Sequence, residues 1–498
     1  MRASGAQDST GPPVAESEPG GALPHVVVVG GGIAGLAAAA FLSGVADGVS
    51  RARVTVLEAA DRVGGKLYVG EVGGIAVDLG AEALFALRPE AVDLARQVGL
   101  GPDLESPRTT EAAIWTRGAL RPVPTGQVMG VPGDLDALAA SGVLSDQGLA
   151  RARQDLELPR TEIGDDITVG EYVAARVGRE VVDRLAEPLL GGVYGGRADR
   201  ISLRAAVPQL LTVARGERSL VEGVRRMLDG PSDAASGPRP PVFQGIRGGI
   251  GRLPEAIAES CRAAGADIRT GTEVRKLRRT RHGWWLGGTG PGGERELTAD
   301  AVVLAVPAPA AARLVADDEM SAAVDLRAVE YASIALVTMV FRRADLPELT
   351  GSGFLVPPVD GRTIKASTFL SNKWAWLTEA APDRFVLRTS VGRHGETTAL
   401  TLDDPRLVAR SLAELAEATG LDATPYATAV TRWDAGLPQY PVGHLPRVER
   451  VRQRLAALGP LAVCGAAYDG VGIPACVASG RRAAEAVVGA VGARHDAR

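Results

Sequence analysis

Two rhythms of apolar residues run along this chain and divide it into stretches of different kind. Val26 to Val29, led by His25, form a short run with no polar break, the pattern of a strand buried on both faces. Segments 53–57 and 301–306 repeat that pattern, and 461–465 does so near the end of the chain. An Ala-rich stretch through Phe41 predicts a helix soon after the first run, and another helix is predicted from Ala475. Between these ends the pattern changes. Residues 67–84 alternate around Gly73 and Gly74, as a hairpin does. Helical spacing dominates 88–230 and is clearest in 89–98, 169–176 and 180–190. A helix is predicted to end near Gly265, with strands at 267–277 and 284–286. Further strands are predicted at 333–341, 354–356, 368–370 and 385–390. A helix over 405–420 carries apolar Leu407, Leu412, Leu415 and Ala416. Sheet followed by helix here predicts an α+β region set into an α/β fold.

The first corner of the pattern carries candidate chemistry. Gly30, Gly31, Gly32, Ile33, Ala34 and Gly35 follow the first strand at once, and Gly30, Gly32 and Gly35 fit G-x-G-x-x-G. The first glycine allows a tight turn, the second lets backbone approach a pyrophosphate, and the third lets helix and strand pack closely. The helix start offers unpaired N–H groups and a positive dipole end. Glu58 ends the second strand, where a carboxylate can accept both ribose hydroxyl hydrogens and would repel a 2′-phosphate. That argues for a dinucleotide other than NADP. A glycine-rich helix entry with nothing bound is the plainer alternative, and it leaves the position of Glu58 unexplained.

The next loop selects the dinucleotide. Ala59, Ala60, Asp61, Arg62, Val63, Gly64, Gly65 and Lys66 resemble the second signature of the FAD-dependent amine oxidase and protoporphyrinogen oxidase superfamily, an acid followed by R-x-G-G-[R/K]. There the segment wraps the phosphate and ribitol side of the flavin. Arg62 and Lys66 supply positive charge while Gly65 lets backbone come close. A plain surface turn is the alternative. Asp78, Leu79, Gly80, Ala81, Glu82 and Ala83 resemble the segment of the porphyrinogen oxidases whose backbone lies near the isoalloxazine ring; an acid-capped turn is the alternative. The stretch from Glu187 to Arg204, with Pro188-Leu189-Leu190, Tyr194 and Ser202, resembles a segment of coproporphyrinogen and protoporphyrinogen oxidases that amine oxidases lack in this form. Locally it also reads as two helices joined by a glycine loop, with Ser202 as a cap. Arg432 to Tyr440, including Trp433, resembles the family's R-W-x-x-x-[ML]-P-Q-Y. Gly465 to Pro474, including Gly472 and Ile473, resembles the C-terminal flavin motif, whose helix points its N-terminus at the ring. The residue matching Val274 touches adenine in that family.

The resemblance covers nearly the whole chain and implies its organisation. A Rossmann-like FAD-binding domain is expected over 24–88, 241–306 and 426–492, with a mainly helical insertion at 89–240 and a mixed-sheet substrate domain at 307–425. Residues 1–23 are expected to be a disordered tail, and 232–241 a flexible loop. The resemblance implies a coproporphyrinogen III oxidase, which takes six electrons and six protons from its substrate, with O2 as acceptor giving H2O2, in haem biosynthesis. Protoporphyrinogen IX oxidase, amine or polyamine oxidase, and a non-catalytic FAD-binding partner are the alternatives. An amine oxidase would want an aromatic cage, to which Tyr468 could lend one wall. Monoamine oxidases with covalent flavin carry a cysteine near 432–440; none stands here, so FAD is expected to be non-covalent. No catalytic residue is indicated, because pyrrole nitrogens can release protons as hydride leaves. Substrate propionates would want cations. Arg200, Arg204, Lys365 and Lys373 are candidates, each readable also as an ordinary surface charge.

Composition changes little in that picture and excludes a good deal. A net charge of -4 gives no drive toward nucleic acid. The basic cluster over 275–282 lacks interleaved aromatics and reads as a solvated hairpin tip. Only four of the 55 basic residues are lysine, a bias of GC-rich bacterial genomes. Gram-positive members of the family resemble soluble coproporphyrinogen oxidases, which favours that substrate here. Cys261, Cys464 and Cys476 make no metal or disulfide pattern and fit a cytoplasmic protein; Cys464 and Cys476 read as packed small residues. The scattered histidines suggest no metal site. No apolar run reaches the length of a membrane span. Peripheral membrane contact and a transient contact with the next haem-pathway enzyme stay open.

Overall fold

A computed structural model describes residues 23–230 and 241–496. The expected tail and the expected flexible loop lie outside the described residues, except for Leu23 and Pro241.

The apolar runs assemble into one parallel sheet. Its strands lie in the order Asp267–Arg269, Arg53–Leu57, His25–Val29, Ala301–Leu304, Leu461–Val463. Val26 and Val28 pack into a layer with the helices Ile33–Ser43, Arg252–Ala263 and Ile473–Asp496. Val27 and Val29 pack into the opposite layer, with Ala308–Val315, Met320–Arg327 and His444–Leu458. Burial on both faces is why the run needs no alternation. The three-stranded antiparallel sheet Glu273–Thr280, Gly283–Gly290, Gly293–Ala299 covers part of that second layer through Leu277, Trp284 and Leu286.

A second sheet has seven strands, in the order Ala427–Pro438, Tyr331–Arg342, Arg384–Val391, Ile364–Thr368, Gly353–Leu355, Ala113–Thr116, Ala119–Pro122. Ala335, Val337, Met339 and Phe341 pack beneath the Asp404–Thr419 helix, through Leu407 and Leu415. Ile334 and Leu336, on the other parity, look into a cavity. The period-2 rule thus gives this sheet one core face and one working face.

Mixed α/β architecture is what the pattern predicts, but four boundaries differ. Residues 113–122, placed by sequence in the helical insertion, are two strands of the seven-stranded sheet. Residues 427–438, placed by sequence with the dinucleotide-binding part, are that sheet's other edge. The expected single strand at 267–277 is two, because the chain turns at 270–272 and leaves one sheet for another. Likewise the strand expected at 368–370 runs Ile364–Thr368, and Leu370 already starts a helical turn. The rest of the described residues between 89 and 230 are mostly helical and have their own core around Tyr172, Val173, Leu185 and Leu210. A wide helical turn, Val182–Ala186, precedes the helix Glu187–Tyr194.

Candidate functional site

A cavity of about 1180 Å³ runs from the carboxyl ends of the parallel strands to the working face of the seven-stranded sheet. Open α/β sheets place their ligand sites at such strand ends. The glycine turn forms one end. Gly30 has φ +109°, and a Cβ there would stand 2.5 Å from the Ala305 carbonyl oxygen. Gly31 donates its N–H to Glu58 Oε2 at 2.6 Å, and Ala60 donates to Glu58 Oε1 at 2.8 Å. The carboxylate is thereby fixed on the cavity wall by backbone donors. Nothing stands within 4 Å of where a Cβ of Gly32 would be, and no side chain caps the helix that starts at Ile33. Backbone at a helix start is therefore open to an anion.

The second loop docks on the first. Gly64 N donates to Gly31 O at 2.8 Å. Arg62 stacks on Tyr68 and donates to Gly65 O at 2.9 Å and Val63 O at 3.1 Å. Its guanidinium thus braces the loop as well as charging it. Lys66 is enclosed by protein atoms yet accessible from the cavity, and burial holds its pKa below the usual lysine range. Opposite, Gly465 N donates to Ser479 Oγ at 3.0 Å, and Ser479 Oγ donates to Asp469 Oδ2 at 2.5 Å. Asp469 also pairs with Arg452 at 2.5 Å and Arg482 at 2.7 Å. This relay sets the turn that delivers Gly472 and the Ile473 helix start to the cavity.

Gly80, Ala81, Glu82 and Ala83 also line the cavity, as do Val274 and Trp433. Trp433 donates its indole N–H to Leu79 O at 3.1 Å. A Cβ on Gly80 would sit 1.9 Å from Lys66 O, so only glycine lets these two segments touch. Behind them Asp78 accepts N–H bonds from Ile250 at 3.0 Å and Gly251 at 3.1 Å, while burial pushes its carboxyl up to about 7. Glu82 pairs with Lys373 at 2.6 Å and Arg388 at 3.3 Å. Burial opposes its charge, but Lys373 and Arg388 together hold its carboxyl below the ordinary value. Glu82→Ala is expected to cost about 3–5 kcal/mol, because it takes the carboxylate away from two half-buried cations. A depressed carboxyl contributes its stability above the unfolded pKa and loses it as pH falls through the folded one. Thermal midpoints of wild type and Glu82→Ala should therefore converge in acid; a constant gap would refute this account.

Most sequence-expected residues meet at this cavity, but several do not. Gly31, Gly35 and Pro474 lie behind its lining. Arg200 and Arg204 are exposed and outside it, a correction to their place among the substrate candidates. Ile201 and Leu203 take the buried positions, and Ser202 caps the next helix through Ala205 N at 2.9 Å, which turns both arginines outward. The same segment reaches the cavity through Gly192 and Val193 instead. Lys373 is engaged with Glu82 and does not line the cavity, whereas Lys365 does. Tyr468 is buried outside the lining; Trp433 and Tyr331 are the aromatic residues that line it. Cys464 and Cys476 are buried as expected and also border the cavity. Arg388 and Ser390 were missed. The signal is that Arg388 and Ser390 share one parity of 385–391, opposite to Phe385, Leu387 and Val391, which face the core.

Comparison with known proteins agrees with this geometry. The chain is 36% identical over 475 residues to a coproporphyrinogen III oxidase of Mycobacterium bovis, covering 94% of this chain and 98% of that one. It is 32% identical over 468 residues to a coproporphyrinogen III oxidase of Bacillus subtilis, covering 92% and 97%. A crystal structure from Exiguobacterium sp. 255-15, provisionally named a protoporphyrinogen oxidase, superposes with a TM-score of 0.82 at 33% identity, covering 94% of this chain and 99% of that one. Residues 33–488 match the family described as flavin containing amine oxidoreductase, and the chain belongs to that family.

Proposed function

We propose that this chain is an FAD-dependent coproporphyrinogen III oxidase that binds its flavin without a covalent bond. The observation that carries the reading is one continuous cavity, which joins two open helix starts to an apolar sheet wall bearing cations. The open backbone at Gly32, Gly465 and Gly472 fits a dinucleotide, since no side chain fills the space that its phosphates and ring would need. In this reading Gly30 to Gly35 take the pyrophosphate and Glu58 with Ala59 the ribose. Arg62, Gly65 and Lys66 neutralise phosphate. Val274 meets adenine. Gly80 to Ala83, Trp433, Gly465 and the turn Gly472-Ile473-Pro474 surround the ring. When bound, the flavin supplies the hydride acceptor. Burial pushes the Cys476 thiol up to about 11 and the Cys464 thiol higher still. Both stay protonated and poorly nucleophilic, which supports non-covalent binding.

On the substrate side Ile334, Leu336, Leu355 and Leu437 make a dry wall that can exclude water from a macrocycle. No side chain is assigned as a base. The overall reaction balances as one coproporphyrinogen III and three O2 giving one coproporphyrin III and three H2O2. Among the described residues no helix is long and apolar enough to cross a membrane. Three free, buried cysteines support a cytoplasmic setting.

The test is an initial-rate comparison by porphyrin fluorescence in air. Coproporphyrinogen III is expected to have a kcat/KM at least about tenfold above protoporphyrinogen IX, a difference of about 1.4 kcal/mol in transition-state binding. The reverse preference would overturn the substrate assignment and keep the fold. Peroxide release with a panel of amines would favour an amine oxidase instead. Flavin that no porphyrinogen reduces without oxygen would make the protein a non-catalytic binder.

A further inference from the structure

The strand Ile364–Thr368 is irregular at one residue. It pairs with Arg384–Val391 so that Ile364 faces Val391 and Ala366 faces Ser390. Two residues on one strand therefore oppose one step on the other, and Lys365 is the extra one. A bulge of this kind re-aims side chains and occurs beside working sites. Regular alternation would put Ile364, Ala366 and Thr368 on one face and Lys365 on the other. The observed faces differ. Ile364 packs beneath the Asp404–Thr419 helix, while Lys365, Ala366 and Thr368 all line the cavity. The bulge switches parity and brings the lysine to the cavity side.

There the ammonium has no partner among the described residues. Lys365 is 5% exposed and makes no ion pair or side-chain hydrogen bond with the described residues. The charged group beside it is Arg393, which donates to Val356 O at 3.0 Å and pairs with Glu396 at 3.4 Å. Its neighbours along the wall, Leu355 and Leu336 among them, are apolar. Burial and then Arg393 lower the lysine pKa to about 7. The other cation on this wall, Arg388, is occupied by Gly80 O at 2.8 Å and by Glu82. A buried cation without a partner is unfavourable for the fold. An arriving anion would supply what the protein does not.

We propose that the bulge at Lys365 builds a carboxylate seat, in which the ammonium takes one propionate-type carboxylate of the substrate and sets the macrocycle's orientation along the sheet. The inference rests on the porphyrinogen reading above. It makes Lys365 a specificity-determining residue, one that rewards a substrate able to place a carboxylate there.

The experiment measures binding of the product, coproporphyrin III, and of its tetramethyl ester to flavin-loaded protein by fluorescence, beside kcat and KM for coproporphyrinogen III. Lys365→Gln and Lys365→Met are expected to weaken binding of the free acid about 30-fold and to raise KM similarly. kcat at saturation and flavin content should change less than about threefold. Lys365→Arg should restore binding to within about threefold. The ester should bind wild type and variants alike. Unchanged acid binding in Lys365→Met, with wild type active, would overturn the seat. Wild type that holds flavin but neither binds nor oxidises the porphyrin would overturn the function reading instead. If neither neutral variant folds, wild type alone decides, since equal binding of acid and ester overturns the proposal.

Discussion

Gly35→Ala is expected to purify with almost no bound flavin. A Cβ at Gly35 would stand 2.0 Å from Gly30 O and 3.0 Å from the Ala305 Cβ. Gly30 O belongs to the turn itself, and Ala305 extends the neighbouring buried strand, so neither is a flexible side-chain end that can move aside. The Ile33–Ser43 helix would have to slide off the sheet, and the helix start would leave the Gly30–Gly32 turn that it completes. Visible flavin absorbance per chain should fall at least about tenfold, which corresponds to losing more than about 1.4 kcal/mol of cofactor binding. Gly489→Ala is the matched control. Gly489 sits exposed in the Ile473–Asp496 helix with nothing near its Cβ position. That change should keep flavin and stabilise the helix by up to about 1 kcal/mol. Full flavin occupancy in Gly35→Ala would remove the glycine turn from the cofactor site.

Asp155→Ala is expected to be the most destabilising single change in the helical segment. Asp155 and Arg176 are both almost wholly enclosed, 2.6 Å apart. Arg176 also donates to the carbonyls of Pro159 at 2.5 Å and Arg218 at 2.7 Å, and to Thr161 Oγ1 at 3.2 Å. Asp155 Oδ2 accepts from Ser219 Oγ at 2.6 Å and Val221 N at 2.9 Å. The pair ties the 154–161 turn to two helices. Removing the carboxylate strands the guanidinium and two further donors, at about 3–5 kcal/mol. Denaturation midpoints would show it, with flavin content unchanged in the protein that remains folded, because neither residue lines the cavity. A loss below about 1 kcal/mol would mean that water replaces the carboxylate.

These two expectations differ in how they became visible. Gly35 is legible in the chain because a strand, a glycine turn and a helix are consecutive, and their contact is fixed by local geometry. The same holds for Glu58, for the loop that ends at Lys66 and for the turn into Ile473. Each is a backbone device a few residues long, set by φ/ψ limits and helix ends. Asp155 gives no such signal, since its partner is 21 residues away and the need for it arises only from burial.

The sequence by itself determined the parallel strands, the helix starts that face the cofactor site and the family resemblance. Tertiary structure decided which cations matter. Arg200 and Arg204 look available in a motif, yet packing of Ile201 and Leu203 turns them outward. Lys373 is consumed by Glu82 from a segment 291 residues away. Strands at 113–122 and 427–438 join a sheet whose other members lie far along the chain. Lys365 reaches the cavity because one residue is added between Ile364 and Ala366 in its pairing with the next strand. The physical reason is common to all four. Strand register and charge pairing are set by contacts between distant segments, and periodicity along one segment carries no record of the partner it will meet.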